Sequence, residues 1–255
     1  MNARRIVSLV PSTTESVCEL GRRDGLVGCP RYCEEPRAAL VSVVRVGGTK
    51  TPDLEAVMAQ APDLVLANAE ENRVEDIEWL RQRVRVLVQT PCTVPAAADA
   101  LRELARELDA VEALHPWLLR IEAQLAAAAV DGLRAPPLRV FYAIWCKPWM
   151  TVGADTFVHD LLRRCGFDNV AASVPGRYPE VALEQVRALR PDVVLLPSEP
   201  WAFDERQREA LLRERVFGAA RLSLCDGRDF CWHGTRMADG IGHARLLANR
   251  LRGLR

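Results

Sequence analysis

Four histidines, His115, His159, His233 and His243, and eight cysteines are the side chains of this sequence with most scope for metal or redox chemistry. The cysteines are Cys18, Cys29, Cys33, Cys92, Cys146, Cys165, Cys225 and Cys231, and none forms a C-x-x-C pair. Cys29 and Cys33 have a C-x3-C spacing, but no second pair completes a zinc site. Cysteines scattered in this way fit a reducing compartment, where most serve as small buried hydrophobes. A bare metal ion gripped from two sides needs imidazole or carboxylate from both. No histidine falls in the loops after the first-half strands, so no metal site is expected. G-x-S-x-G, H-E-x-x-H, G-x-G-x-x-G and the phosphate-loop pattern are all absent. Glu34 and Glu35 are adjacent, point in different directions and read as solvated. His159, beside Asp160 in a helical stretch, reads as structural. His233, beside Trp232 in a loop and close to Arg236, is the histidine best placed for function. No catalytic residue and no covalently bound cofactor are expected.

Aromatic residues give a second signal. Trp145, Trp149, Tyr178, Trp201 and Trp232 all follow candidate strands or sit in connecting loops, where binding residues concentrate. Each alone is explained by packing. Together they suggest a flat, aromatic-lined site for a large planar ligand, mostly apolar with a few placed polar groups. In the first half the corresponding loops are polar. Pro11-Ser12-Thr13-Thr14-Glu15 opens a helix, and Ser12 or Thr13 either caps it or turns its hydroxyl toward the ligand. Cys29 to Pro36 carries Tyr32. Val46-Gly47-Gly48-Thr49-Lys50-Thr51-Pro52-Asp53 is a glycine loop whose Asp53 is a candidate N-cap.

Alternating segments must position these loops. Near-continuous aliphatic runs at 6–10, 64–67, 84–88, 140–143, 193–196 and 220–224 read as parallel strands buried on both faces. Helical spacing occupies 14–20, 54–59, 76–82, 96–108, 155–165, 183–189, 205–214 and 235–251. Such alternation is an α/β fold. Between the halves, 111–133 is rich in alanine and leucine, with Pro116 near its start and Ala135-Pro136-Pro137 as its stop.

An internal repeat organises the whole. Leu54-Glu55-Ala56-Val57 leads to Pro62-Asp63-Leu64-Val65-Leu66, and Leu183-Glu184-Gln185-Val186 leads to Pro191-Asp192-Val193-Val194-Leu195, every match offset by 129 residues. The reading is an N-terminal lobe (1–110), a rigid bridging helix (111–134) and a C-terminal lobe (135–255). Both lobes are Rossmann-like with central, mostly parallel sheets, and a cleft lies between the carboxyl ends of their strands.

Bulk properties limit the partners. The 34 basic and 34 acidic residues balance among 255, which argues against nucleic acid or an anionic membrane. No apolar stretch is long enough for a membrane span. The basic start, Met1 to Arg5, precedes an apolar run too short for a signal peptide. As written the chain is expected in the cytoplasm, or in the periplasm if its start lies upstream, and as a monomer.

Several of these motifs occur together in a known family. Ser8-Leu9-Val10-Pro11-Ser12-Thr13-Thr14-Glu15, Tyr32 to Pro36, Val46-Gly47-Gly48, both Leu-Glu-x-Val…Pro-Asp units, Thr151-Val152-Gly153 and Tyr178-Pro179 run through nearly the whole chain. It resembles the substrate-binding proteins of ABC importers for cobalamin, haem and ferric siderophores, the group built on a helical backbone, and most of all the cobalamin-binding members. The resemblance implies a corrinoid or other metal-chelate as ligand, with Tyr32 and Tyr178 packing on it. It implies docking on an ABC permease through Glu55 and Glu184. Thr49 and Asn68 stand where cobalamin-binding members carry tryptophans, which leaves another chelate open. Two alternatives remain: a cytoplasmic chelate-binding protein without a transporter, and a chelate-modifying enzyme using His233 with Arg236.

Overall fold

The computed structural model describes residues 5–253, so the Met1 to Arg4 part of the basic start lies outside the described residues. Strands β1 (Ile6–Ser8), β2 (Leu26–Cys29), β3 (Val44–Arg45), β4 (Leu64–Ala67) and β5 (Arg85–Val88) form one sheet in the order β3-β2-β1-β4-β5. Strands β6 (Leu138–Tyr142), β7 (Phe167–Asn169), β8 (Val193–Pro197) and β9 (Arg221–Cys225) form a second in the order β7-β6-β8-β9. Every pairing is parallel. Parallel neighbours need a crossover, and the helices supply it: α1 (Pro11–Glu19), α2 (Leu54–Ala59), α3 (Val74–Arg81), α4 (Val94–Glu107), α5 (Val111–Gly132), α6 (Phe157–Arg164), α7 (Leu183–Ala188), α8 (Glu205–Arg213), α9 (Gly227–Cys231) and α10 (Met237–Arg252).

The chain divides into two compact units. The first holds the residues up to Pro91, Ala97–Leu118 and His233–Arg236; the second holds Cys92–Ala96, Leu119–Trp232 and Met237 onward. The α/β class read from the sequence is therefore the class found, with one parallel sheet per unit. The expected helix over 111–133 is a single α5 of 22 residues, about 33 Å at 1.5 Å per residue. The chain passes from one unit to the other inside it, after Leu118. Pro116 lies inside α5, and the helix continues through it despite the missing N–H.

The repeat is a repeat of contacts as well as of letters. In the first unit the Arg5 N–H donates to the Asp63 carboxylate at 3.2 Å, and Arg5 Nε donates to the Gln60 carbonyl at 2.8 Å. In the second, the Arg139 N–H donates to the Asp192 carboxylate at 3.0 Å, and its Nη2 donates to the Leu189 carbonyl at 2.6 Å. Gln60 and Leu189 end helices α2 and α7, and the next residues, Ala61 and Arg190, both have positive φ (44° and 48°). Each arginine thus closes the orphan carbonyls of a helix end while its backbone is tied to the strand that follows. Val57 and Val186, at matching positions, are completely buried in their own cores.

Three strands and one helix were not expected. β2 contains Gly28, β3 is two residues long and exposed, and β7 is three residues with a charged centre; none carries an aliphatic run. The five-residue α9 lies outside the stretches of helical spacing.

Near its C-terminus α5 is held by a buried polar group. The Asp131 carboxylate accepts from Arg245 at 2.6 Å and Asn249 at 2.5 Å, both on α10. The hydrogen bond from Arg245, then that from Asn249, holds its carboxyl below the usual carboxylate range. A depressed folded-state value adds stability that is fully present above the unfolded value and is lost as pH falls through the folded one. Asp131→Asn is expected to destabilise the chain by about 1–3 kcal/mol at neutral pH, because the half-buried Arg245 guanidinium loses its counter-charge. Urea unfolding should show the gap between variant and parent closing as pH falls below the ordinary carboxylate range and the parent carboxyl itself protonates.

Candidate functional site

Because all strands of a sheet run the same way, the loops after their carboxyl ends share one edge. In the first unit that edge is built by the segments after Ser8, Cys29, Arg45 and Ala67. Ser12 and Thr13 are buried in the first turns of α1, but neither caps it: Val10 occupies the N-cap position, Pro11 is the first helical residue, and no side chain bonds the free amides. The capping role expected of them is corrected accordingly. Pro11 already supplies an N1 residue without an N–H, which lowers the need for a cap. Glu15 is buried 3.7 Å from Arg236, and the Ser16 hydroxyl accepts the Thr235 N–H at 3.2 Å. These contacts bind the 233–236 segment to α1.

The 46–53 loop is a tight hairpin. The Gly48 N–H donates to the Thr51 carbonyl at 3.0 Å and the Asp53 N–H to the Val46 carbonyl at 2.8 Å. Gly47 has φ +95°, and a Cβ there would press on Asp53 N and Thr51 O, so glycine is required. Asp53 caps α2 as expected, accepting from Ala56 N at 2.9 Å. Thr49, at the tip, is partly exposed, and its carbonyl accepts from Asn72 at 2.9 Å. Asn68 is buried and organises its own turn: its Oδ1 accepts from Glu70 N at 2.7 Å, and its N–H donates to Asn72 Oδ1 at 2.9 Å. Asn72, which the sequence did not single out, also donates to Leu9 O at 3.2 Å and so ties three loops together. Tyr32 is exposed on this edge, at 58% relative accessibility, with the Arg31 guanidinium 5.0 Å from its ring centre.

His233 lies 3.1 Å from Asn68, Nε2 to Nδ2. With the amide donating, the ring proton sits on Nδ1 and the imidazole is neutral. Burial pushes it down to about 4. It is thus a hydrogen-bonded structural group poorly suited to proton transfer at neutral pH.

In the second unit the edge is aromatic. Trp145 and Met150 bridge to each other, and Met150 bridges to Glu180, which clamps the 145–150 hairpin onto the 177–181 segment. Thr151 N donates to Pro179 O at 3.1 Å and Gly153 N to Arg177 O at 2.8 Å. A Cβ on Gly153 would fall onto the carbonyl oxygen of Gly176, so the Thr151-Val152-Gly153 motif needs its glycine for this close approach. The clamp brings Trp145 and Tyr178, 38% and 40% accessible, onto adjoining segments. Trp145 meets Trp201 edge to face at 4.9 Å between ring centres. Trp149 is half-buried and packs against the core, stacked on Phe203 at 6.1 Å and edge-on to Phe217 at 4.8 Å. Trp232 donates its indole N–H to Glu199 at 2.6 Å, and Cys231 lies 3.2 Å from the same oxygen. Burial pushes the Glu199 carboxyl up even so. Glu199 is not among the residues the sequence singles out, because its partner Trp232 lies far along the chain. Among the described residues no group of three or more His, Cys, Asp or Glu is arranged to hold a metal ion, and no helix is long and apolar enough to cross a membrane.

Glu55 and Glu184 are exposed in the first turns of α2 and α7, the same place in each repeat.

The sequence profile described as "Periplasmic binding protein" matches residues 6–217. The chain belongs to the periplasmic binding protein family. A vitamin B12-binding protein of Vibrio parahaemolyticus is 28% identical over 193 residues, covering 74% of this chain and 69% of the relative. One from Yersinia pestis is 26% identical over 195 residues, covering 76% and 69%. Among solved structures, the periplasmic vitamin B12 binding protein BtuF of Vibrio cholerae superposes with a TM-score of 0.83 over 98% of both chains at 23% identity. The heme-binding protein BhuT in complex with two hemes gives 0.82 over 98% of both at 24%. The structural matches establish the fold. The family is one of substrate-binding proteins, so this periplasmic binding protein is not an enzyme, and its kin include binders of vitamin B12 and heme.

The state of His233 is directly measurable. Its folded value lies below the unfolded 6.5, so the unfolded chain takes up this proton first; stability is full above about pH 6.5 and declines as pH falls toward 4. An NMR titration should place His233 near pH 4, and His233→Gln should flatten the stability profile across that window. An imidazole titrating at 6.5 would remove the burial argument.

Proposed function

We propose that the chain binds a corrinoid of the cobalamin type through aromatic side chains at the strand ends of its units, Tyr32 in the first and Trp145, Tyr178 and Trp201 in the second, and presents it to an ABC permease through Glu55 and Glu184. The observation that carries the reading is the aromatic edge of the second unit, where Trp145 and Tyr178 stay exposed on segments fixed by hydrogen bonds. An exposed indole on a rigid loop offers a wide π face at little entropic cost, and a planar macrocycle is the complementary shape. Family membership and the vitamin B12-binding relatives support the ligand class. Asn68, Trp149, Trp232, His233 and Arg236 act by holding the loops, through the contacts given above.

A visible-absorbance screen with cobalamin, cobinamide, haem and a ferric siderophore tests the reading. A spectral change and saturable binding with the corrinoids are expected. Saturable binding of haem alone would replace the corrinoid by a porphyrin, and binding of none would reject the proposal. Trp145→Ala and Tyr178→Ala should each weaken corrinoid binding by roughly 1–3 kcal/mol in titration calorimetry, as loss of an aromatic anchor does. Unchanged affinity in both would remove the aromatic edge from the site.

Docking is separable from binding. Glu55→Lys with Glu184→Lys should leave corrinoid affinity unchanged and abolish transporter-dependent uptake, because a surface charge reversal turns attraction into repulsion at the partner. Normal uptake by the double variant would exclude these glutamates as docking points.

A further inference from the structure

The aromatic loops of the second unit use only the carboxyl edge of its sheet. At the opposite edge, where β6, β8 and β9 begin, lies a cavity of about 1100 Å³. Its walls are the 135–138 segment, the end of α7 with the turn into β8, the 217–221 loop and the last turn of α10. Among the described residues the lining carries four guanidiniums, Arg187, Arg190, Arg221 and Arg252, and one carboxylate, Asp192. That is a local charge of +3 in a chain whose formal net charge is zero. Asp192 is already engaged, accepting the Arg139 N–H at 3.0 Å. Three of the arginines grip backbone carbonyls. Arg187 Nε donates to Val216 O at 2.9 Å, Arg221 Nη1 to Leu251 O at 2.5 Å, and Arg252 Nη2 to Gly166 O. These bonds hold the guanidiniums around the cavity and leave most of their N–H groups over. Arg252 is half-buried, and its Nε has no acceptor among the described residues. The helix–turn–strand unit does not itself require these charges. In its first copy, 129 residues earlier, Met58 stands in place of Arg187 and Ala61 in place of Arg190, and Ala61 shares the positive φ of Arg190. Between the charges the walls are apolar, with Pro136, Pro137, Leu138 and Leu251.

We propose that this cavity is a second binding site, for a soluble organic phosphate monoester with an apolar body. Guanidinium forks match phosphate oxygens two at a time, and fixing them beforehand lowers the cost of binding. A phosphate monoester carries a charge of about −1.5 to −2 at neutral pH, so a single head group offsets most of the local excess. A lone carboxylate would leave the larger part of it. Small-molecule sites run to roughly 300–1,000 Å³, so bare phosphate would fill little of this one. The proline and leucine walls offer the remaining space to an apolar ester group. The site lies at the other edge of the sheet from Trp145, Tyr178 and Trp201, and it does not depend on the function proposed above.

Naphthyl phosphate, a fluorescent monoester, is the probe, titrated into full-length protein. Saturable binding of one probe per chain is expected, and inorganic phosphate should displace it only at concentrations at least about tenfold higher, because it leaves the apolar walls empty. Arg190→Gln combined with Arg221→Gln should weaken binding at least about tenfold, as loss of charge-assisted hydrogen bonds does. Arg190 is exposed, so Arg190→Gln alone tests the site without touching the core, and a loss of about threefold or more is expected. Arg250→Gln, exposed on α10 and outside the lining, should leave affinity unchanged. Absence of saturable binding, or parental affinity in the double variant, overturns the site. An equal loss in Arg250→Gln also overturns it, since that would mark diffuse attraction by surface charge. Displacement of the probe by cobalamin would place the probe on the aromatic edge, with the same consequence. Phosphatidylcholine vesicles containing phosphatidylglycerol separate a soluble ester from a lipid headgroup. No co-sedimentation is expected; co-sedimentation that the double variant loses would assign the cavity to lipid and overturn the soluble ligand.

Discussion

The clamp formed by Arg5 with Asp63, and again by Arg139 with Asp192, sets the geometry on which the rest of each unit depends. A parallel sheet must bring the chain back along a helix and restart it level with the strand beside it. At that restart the helix leaves carbonyls without partners, and the chain turns through a residue of positive φ. One arginine meets both needs, its guanidinium on the helix carbonyls and its own N–H on the aspartate that opens the next strand. The clamp fixes the register of β1 against β4 and of β6 against β8, with Ile6 opposite Leu64 and Val140 opposite Val193. Register decides the level at which the strands end, and so the level of every loop that could touch a ligand.

Much of this was legible because burial leaves a strong mark on sequence. β4 and β8 are buried at every position and read as aliphatic runs. The Pro-Asp units around them could be matched at one offset because turn, cap and core each constrain a residue type. β2, β3 and β7 left no such mark. Val44 and Arg45 are exposed, and the pattern of β7 alternates over only three residues. These strands exist because a neighbour offers a free row of backbone groups, which is information held by the neighbour and not by the strand.

The binding edge divides along the same line. Trp145, Tyr178, Trp201 and Tyr32 could be found by residue type and position after a strand. Which aromatic faces outward could not: Trp149 lies four residues from Trp145 and packs into the core on Phe203 and Phe217. Asn72 and Glu199 were invisible because each acts on groups far along the chain, Leu9 O for Asn72 and the indole of Trp232 for Glu199. Pairings of buried polar groups depend on where the chain has already been brought, and no local pattern encodes them.

The same pairings explain why this edge suits binding better than chemistry. His233 is neutral against Asn68, Glu199 holds the Trp232 indole, and Glu15 faces Arg236. These three groups are engaged in fixing loops, and disengaging one would leave a polar atom without its partner at a cost of about 1–3 kcal/mol. What the loops turn outward is the faces and edges of Tyr32, Trp145 and Tyr178. Such surfaces recognise by shape and dispersion, which need rigidity in the partner and give no preference to a transition state over a ground state. A protein carrying out the function proposed above would in this way gain affinity for a stiff planar ligand, which is what a carrier requires.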